Sequence, residues 1–203
     1  QELSELLANN QTQAAIARLA EEIRTAAEPD EVSAALHYTL ANLYLQNSQF
    51  AEAVRQYRTA IEKFPNFRRA YKNLGLARIQ SREFAEAIEA LVKAVELGDS
   101  GGDTFGLLAY AYLNEGNPTA ALEGYRQASL LNPGNREWRI GKAEALMRTE
   151  RYEEAIAIFK QLIKETPERD AFYTSIANAY LALGDAESAS RYLEILRRRD
   201  VAQ

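Results

Sequence analysis

The stretch Tyr71–Ala94, reading YKNLGLARIQSREFAEAIEALVKA, decides the fold. Leu74 and Gly75 follow Tyr71 by three and four residues, the spacing that lines side chains along one face of an α-helix. Phe84, Ala87, Leu91 and Ala94 repeat that spacing in the second half, and the polar break Gln80-Ser81-Arg82 separates the two patterns. Two antiparallel helices joined by a short turn are predicted.

Working outward, Ala87 has counterparts at Ala53, Ala121, Ala155 and Ala189, each 34 residues from the next. Twelve residues before each alanine stands a small residue, in order Ala41, Gly75, Ala109, Ala143 and Ala177. Four after each stands a large apolar one: Tyr57, Leu91, Tyr125, Phe159 and Leu193. A fixed period through five units without a gap is the mark of a repeat architecture. The small residues mark where paired helices cross, because bulk there would force them apart. Pro65, Pro133 and Pro167 stop the second helices of their units, and Asn117 is placed to cap a helix that begins at Pro118. One hairpin cannot bury both its faces, so neighbours must stack. The expected fold is all-α, a right-handed superhelical solenoid of stacked antiparallel helix hairpins. Its units run over 34–67, 68–101, 102–135, 136–169 and 170–203, as one continuous domain. Residues 1–33, with Leu3, Leu6, Leu7, Ala15, Ile16, Leu19 and Ile23, read as a degenerate N-terminal hairpin acting as a cap, its spacing off by four. At the far end, Ile61, Val95, Ser129 and Ile163 give way to Arg197 at the matching position, which predicts that the array ends there and that the protein is monomeric or weakly self-associating.

Composition limits the function. The chain has 203 residues, 47% apolar and 26% charged, a globular rather than a disordered balance. No apolar run approaches the ~20 residues of a membrane span. Cysteine is absent, so disulfides and thiolate chemistry are excluded. The 24 basic residues are outnumbered by 29 acidic ones, which speaks against nucleic acid, whose binders carry a basic excess. A chain without cysteine suits either the cytoplasm or export to a bacterial periplasm.

These residues resemble the tetratricopeptide repeat family. Its pattern is met by Tyr71, Leu74, Gly75, Phe84, Ala87, Leu91 and Ala94, and by His37, Leu40, Ala41, Tyr44, Ala53, Tyr57, Ala60 and Pro65. Phe105, Leu108, Ala109, Tyr112, Ala121, Tyr125, Ala128 and Pro133 meet it again, and the fifth unit keeps Tyr173, Ile176, Ala177, Tyr180, Gly184 and Ala189. The fourth unit departs. Lys142 replaces a large apolar residue, Trp138 is shifted by one place and Leu162 replaces a small residue, so its first helix is expected to be rotated. Asp99 replaces a proline, and Gly98–Gly102 is expected to form a looser joint.

No catalytic residue, metal site or cofactor is expected. The sole histidine, His37, sits where other units carry Tyr71, Phe105 and Tyr173, a packing slot. The resemblance implies a non-catalytic scaffold that holds a protein or peptide segment along the concave face, lined by the first helix of each unit. Carried across, the lining residues are Tyr38, Asn42, Arg69, Lys72, Asn73, Tyr110, Asn114 and Asn178, expected to form one groove. Asparagines suit a backbone that must both give and take hydrogen bonds. A subgroup of the family grips the acidic tails of Hsp70- and Hsp90-type chaperones with a carboxylate clamp. The five clamp places hold Tyr38, Asn42, Asn73, Asp103 and Leu107 here, and only the asparagines match, so that partner is disfavoured. Two alternatives stand beside the scaffold: a self-assembling structural module, and an accessory or adaptor domain of a larger protein or complex.

Overall fold

The computed structural model describes residues 11–26 and 32–202, with side chains to residue 199. Among them are eleven α-helices and no strand: α1 (Thr12–Thr25), α2 (Ala34–Gln46), α3 (Phe50–Lys63), α4 (Arg68–Gln80), α5 (Phe84–Glu96), α6 (Gly102–Asn114), α7 (Pro118–Leu131), α8 (Arg136–Arg148), α9 (Tyr152–Glu165), α10 (Asp170–Ala182) and α11 (Ala186–Ala202). The fold is an all-α helical-repeat solenoid, and five hairpins, α2–α3 to α10–α11, follow the 34-residue phase. The chain divides into two compact units, residues 1–100 and 101–203, and the boundary falls inside the Gly98–Gly102 run.

Local chemistry sets the ends of the helices. α3, α7 and α9 each stop two residues before Pro65, Pro133 and Pro167, since the residue preceding a proline is pushed out of the helical region. Asn117 caps α7, its side chain accepting from the Ala120 N–H at 3.0 Å, and Pro118 opens that helix. Each hairpin turn puts one residue at positive φ, and these too recur every 34 residues: Ser48, Arg82, Gly116, Glu150 and Gly184. The next N–H after each returns to a carbonyl of the last helical turn, as from Gln49 to Tyr44 at 2.8 Å and from Glu83 to Arg78 at 2.9 Å. This closes the helix end with a left-handed residue.

In the first unit, Ala15, Ile16 and Leu19 of α1 bury themselves against Leu40 and Leu43 of α2. The expected contribution of Leu3, Leu6 and Leu7 lies outside the described residues. Ala41, Ala53 and Tyr57 then join Ala70, Leu74 and Ala77 in the next cluster. His37 is buried in its packing slot, its Nδ1 2.7 Å from Gln56 Oε1. In the second unit, Tyr125 packs with Ala109, Leu113, Ala121 and Ala145, and Phe159 with Ile140, Ala143, Phe172 and Ile176. Each large side chain so removed from water contributes about 1.5–3 kcal/mol.

The expected rotation of the fourth unit's first helix is not found. Ala143 is fully buried, like Ala41, Ala109 and Ala177, so α8 keeps the phase of the others. The shifted indole of Trp138 is accommodated by Gly106, where a Cβ would stand 2.4 Å from the ring. Arg139, which falls in the usual aromatic slot, makes a bidentate pair with Glu165 at 2.6 and 2.7 Å. Arg197 has a side chain 80% exposed and lies 4.0 Å from Glu194.

Candidate functional site

The first unit brings four polar side chains from three helices to one point. α2 presents Tyr38 and Asn42 one turn apart, and α4 presents Asn73 beside them. Asn73 Nδ2 donates to Asn42 Oδ1 at 2.9 Å and to Tyr38 Oη at 3.1 Å. From the hairpin's second helix, Tyr57 reaches the same spot and donates its hydroxyl to Asn42 Oδ1 at 2.6 Å. Tyr57 is fully buried, and burial pushes its phenol well above the usual tyrosine range. It is a neutral donor at any working pH. Asn73 also acts on that hydroxyl, but without Asn42 its proton would lose its acceptor in a buried place, at a cost of about 1–3 kcal/mol.

Tyr38 completes an aromatic ladder. Its ring lies 5.9 Å from Tyr57 and 4.7 Å from Phe67, and Phe67 lies 5.7 Å from Phe64, which is 51% exposed. The half-buried Tyr38 is thus held by packing as well as by Asn73. Arg69 and Lys72 stand about one turn apart on α4, and neither is ion-paired among the described residues. The first unit therefore offers a fixed amide pair, an aromatic ledge and two cations.

The second unit places its expected residues differently. Tyr110 is 42% exposed, and Asn114 Nδ2 is turned back onto the Tyr110 carbonyl of its own helix at 2.8 Å. Asn178 is exposed on α10. Arg148 donates to the Leu113 carbonyl at 2.7 Å, so it caps the end of α6. Glu144, at the repeat position of Asn42 and Tyr110, is partly desolvated, which raises its carboxyl pKa against the pull of Arg148 and Arg169.

Three residues of the first-unit cluster lie outside the sequence-derived set. Tyr57 is legible only as a core position, because periodicity says which face a side chain takes and not what its tip reaches. Phe64 and Phe67 flank Pro65 in a connecting segment where no helical spacing operates.

Among the described residues no group of histidine, cysteine or acidic side chains could hold a metal ion, and no helix is long and apolar enough to cross a membrane. Such an array of hairpins with a polar and aromatic first-helix face defines a helical-repeat interaction protein. A tetratricopeptide repeat model matches residues 38–101, and a second of the same description matches 112–174 and 146–203. The chain belongs to the tetratricopeptide repeat family.

Type IV pilus assembly protein PilF of Pseudomonas aeruginosa is 30% identical over 129 residues, covering 63% of this chain and 51% of that protein. The Hsp70-Hsp90 organising protein of Plasmodium falciparum is 26% identical over 178 residues, covering 84% of this chain and 30% of that protein. The chain spans about half or less of the length of the curated relatives it matches. Among solved structures, YrrB, a TPR protein with an unusual peptide-binding site, superposes with a TM-score of 0.75 at 22% identity, over 87% of this chain and 89% of that one. That likeness is one of fold.

Proposed function

We propose that the chain is a non-catalytic scaffold that holds an extended polypeptide segment along the first-helix face of its repeats, with the Tyr38–Asn42–Asn73 cluster as the principal site. Proteins of this family are protein-interaction scaffolds, which sets the class. The reading rests on one observation: Asn42 and Asn73 are locked to each other and to Tyr57. A polar group already fixed loses little entropy when it meets a ligand. The Asn42 amide N–H2 and the Tyr38 hydroxyl hydrogen remain as donors toward a backbone carbonyl. Arg69 and Lys72 alongside favour a segment carrying acidic residues. Tyr110 and Asn178 are the corresponding contacts proposed in the second unit, and Asn114 serves chiefly its own helix.

One relative's name raises chaperone tails as the partner. Against this, three of the five clamp places hold Tyr38, Asp103 and Leu107 instead of cations, and the two matching asparagines are engaged with each other. An internal acidic segment fits better than a terminal carboxylate.

The test is selection from a random peptide display library, followed by calorimetry of the selected peptides with variants. Tyr38→Ala, Lys72→Ala and Asn73→Ala should weaken binding, Tyr38→Ala by about 2 kcal/mol if it is a hot spot. Arg58→Ala, on the opposite side of the first hairpin, should be silent. Equal binding by all four would remove the assignment.

A further inference from the structure

The fourth repeat carries a lysine where every other repeat carries an aliphatic side chain. Leu40, Leu74, Leu108 and Ile176 occupy the position that Lys142 holds in α8. Lys142 is half-buried, and it makes no ion pair among the described residues. It lines a cavity of about 320 Å³ between α7, α8 and α9. The same groove two repeats earlier, lined by Leu74 in place of Lys142 and by Arg78 in place of Leu146, measures about 180 Å³. The leucine-to-lysine exchange thus goes with a larger hollow.

The carboxylates around Lys142 are held chiefly by arginines, although Glu154 also feels the Lys142 charge. Arg126 donates to both oxygens of Glu123 at 2.9 and 2.6 Å, and Arg151 to both oxygens of Glu154 at 2.6 and 2.8 Å. Two bidentate pairs cancel in charge and leave the ammonium as the net charge of the cavity. Leu122 and Leu146 supply its apolar wall, and Leu146 is almost wholly buried. A cation beside an apolar wall is complementary to an anion carried on a hydrocarbon stem.

We propose that this cavity is a binding site for a carboxylate attached to a short branched apolar group, with Lys142 as the anion-binding residue. It lies on the side of α8 away from Glu144 and Arg148, so it is separate from the first-helix face and can be filled independently of it. The carboxylate could come from a residue of a partner chain or from a small free acid, and the two sources share this chemistry.

Isotope-edited NMR of the Lys142 side chain, identified by its loss in Lys142→Leu, tests the proposal. The probes are N-acetyl-L-leucine, 4-methylpentanoate and the uncharged N-acetyl-L-leucinamide. Lys142→Leu restores the residue of the other repeats, so it should fold and melt higher than wild type. The two acids should shift the Lys142 signals saturably, the leucinamide should not, and backbone shifts around Leu122 and Leu146 should disappear in Lys142→Leu. Tighter binding of N-acetyl-L-leucine assigns the site to a polypeptide carboxylate, and tighter binding of 4-methylpentanoate to a free acid. Equal response to acid and amide, no saturation in the millimolar range, or undiminished Leu122 and Leu146 shifts in Lys142→Leu would overturn it.

Discussion

Asn42 Oδ1 accepts two hydrogen bonds at once, from Tyr57 of its own hairpin at 2.6 Å and from Asn73 of the next repeat at 2.9 Å. One oxygen therefore ties the buried core of the first repeat to the surface of the second. Core packing and surface recognition meet in a single side chain, and this makes the face rigid where a ligand would lie.

That tie predicts coupled energetics. Asn42→Ala should cost about 1–3 kcal/mol, because it removes the acceptor of the buried Tyr57 hydroxyl proton. Tyr57→Phe should cost only about 1 kcal/mol, since Asn42 keeps Asn73 as a donor. In the Asn42→Ala background, Tyr57→Phe should be nearly neutral or stabilising. Urea denaturation of the four proteins measures the coupling, and simple additivity would contradict the tie.

Much of the fold was legible because helix crossings tolerate so little volume. Ala53, Ala87, Ala121 and Ala155 are all fully buried, and their spacing alone fixes the hairpins. Function was less legible. Asn42 and Asn73 could be placed on one face by helical period, but that Tyr57 passes between helices to meet them depends on side-chain reach. The turn geometry was hidden as well, since only Gly116 and Gly184 among the left-handed residues of the five hairpin turns are glycines. In the fourth repeat, Lys142 and the displaced Trp138 suggested a rotated helix. The void left by Gly106 absorbs the indole instead, a compensation between residues 32 apart that no local pattern reports.

The crossing positions give the second prediction. Ala87→Leu or Ala121→Leu should destabilise by about 1–3 kcal/mol through overpacking. Ala51→Leu, at an exposed site on α3, should stay within about 0.5 kcal/mol. Chemical denaturation midpoints of the three variants decide between this phase and any other.

The turns give the third. Arg82 and Glu150 adopt φ of 62° and 60°, where an L-residue pays about 1–2 kcal/mol. Arg82→Gly and Glu150→Gly should each stabilise the fold by about 0.5–1 kcal/mol, after the greater entropy of an unfolded glycine is offset. Gly184→Ala should do the reverse. Loss of stability in both glycine variants would mean that those turns are not left-handed.

Hydrogen bonds from Arg126 and then Gln127 draw the Glu123 carboxyl down to about 2. Because the folded-state value is depressed, its stabilising contribution is present at neutral pH and fades as pH falls from about 4.5 toward 2. Carboxyl-detected NMR titration should show Glu123 among the last carboxylates to protonate, and Arg126→Gln should return it toward the ordinary range. An ordinary titration in the wild type would mean that the pair does not persist in solution.

Side-chain amide NMR reads most directly whether a polypeptide segment lies on the Tyr38–Asn42–Asn73 face. During titration with a display-selected peptide, the Asn42 and Asn73 N–H2 signals should shift saturably and in step with the calorimetric isotherm. The Asn47 and Gln49 amides, which pair with each other at the hairpin turn at 2.9 Å, should stay in place. Binding that saturates while the Asn42 and Asn73 signals remain unmoved would mean that the segment lies elsewhere.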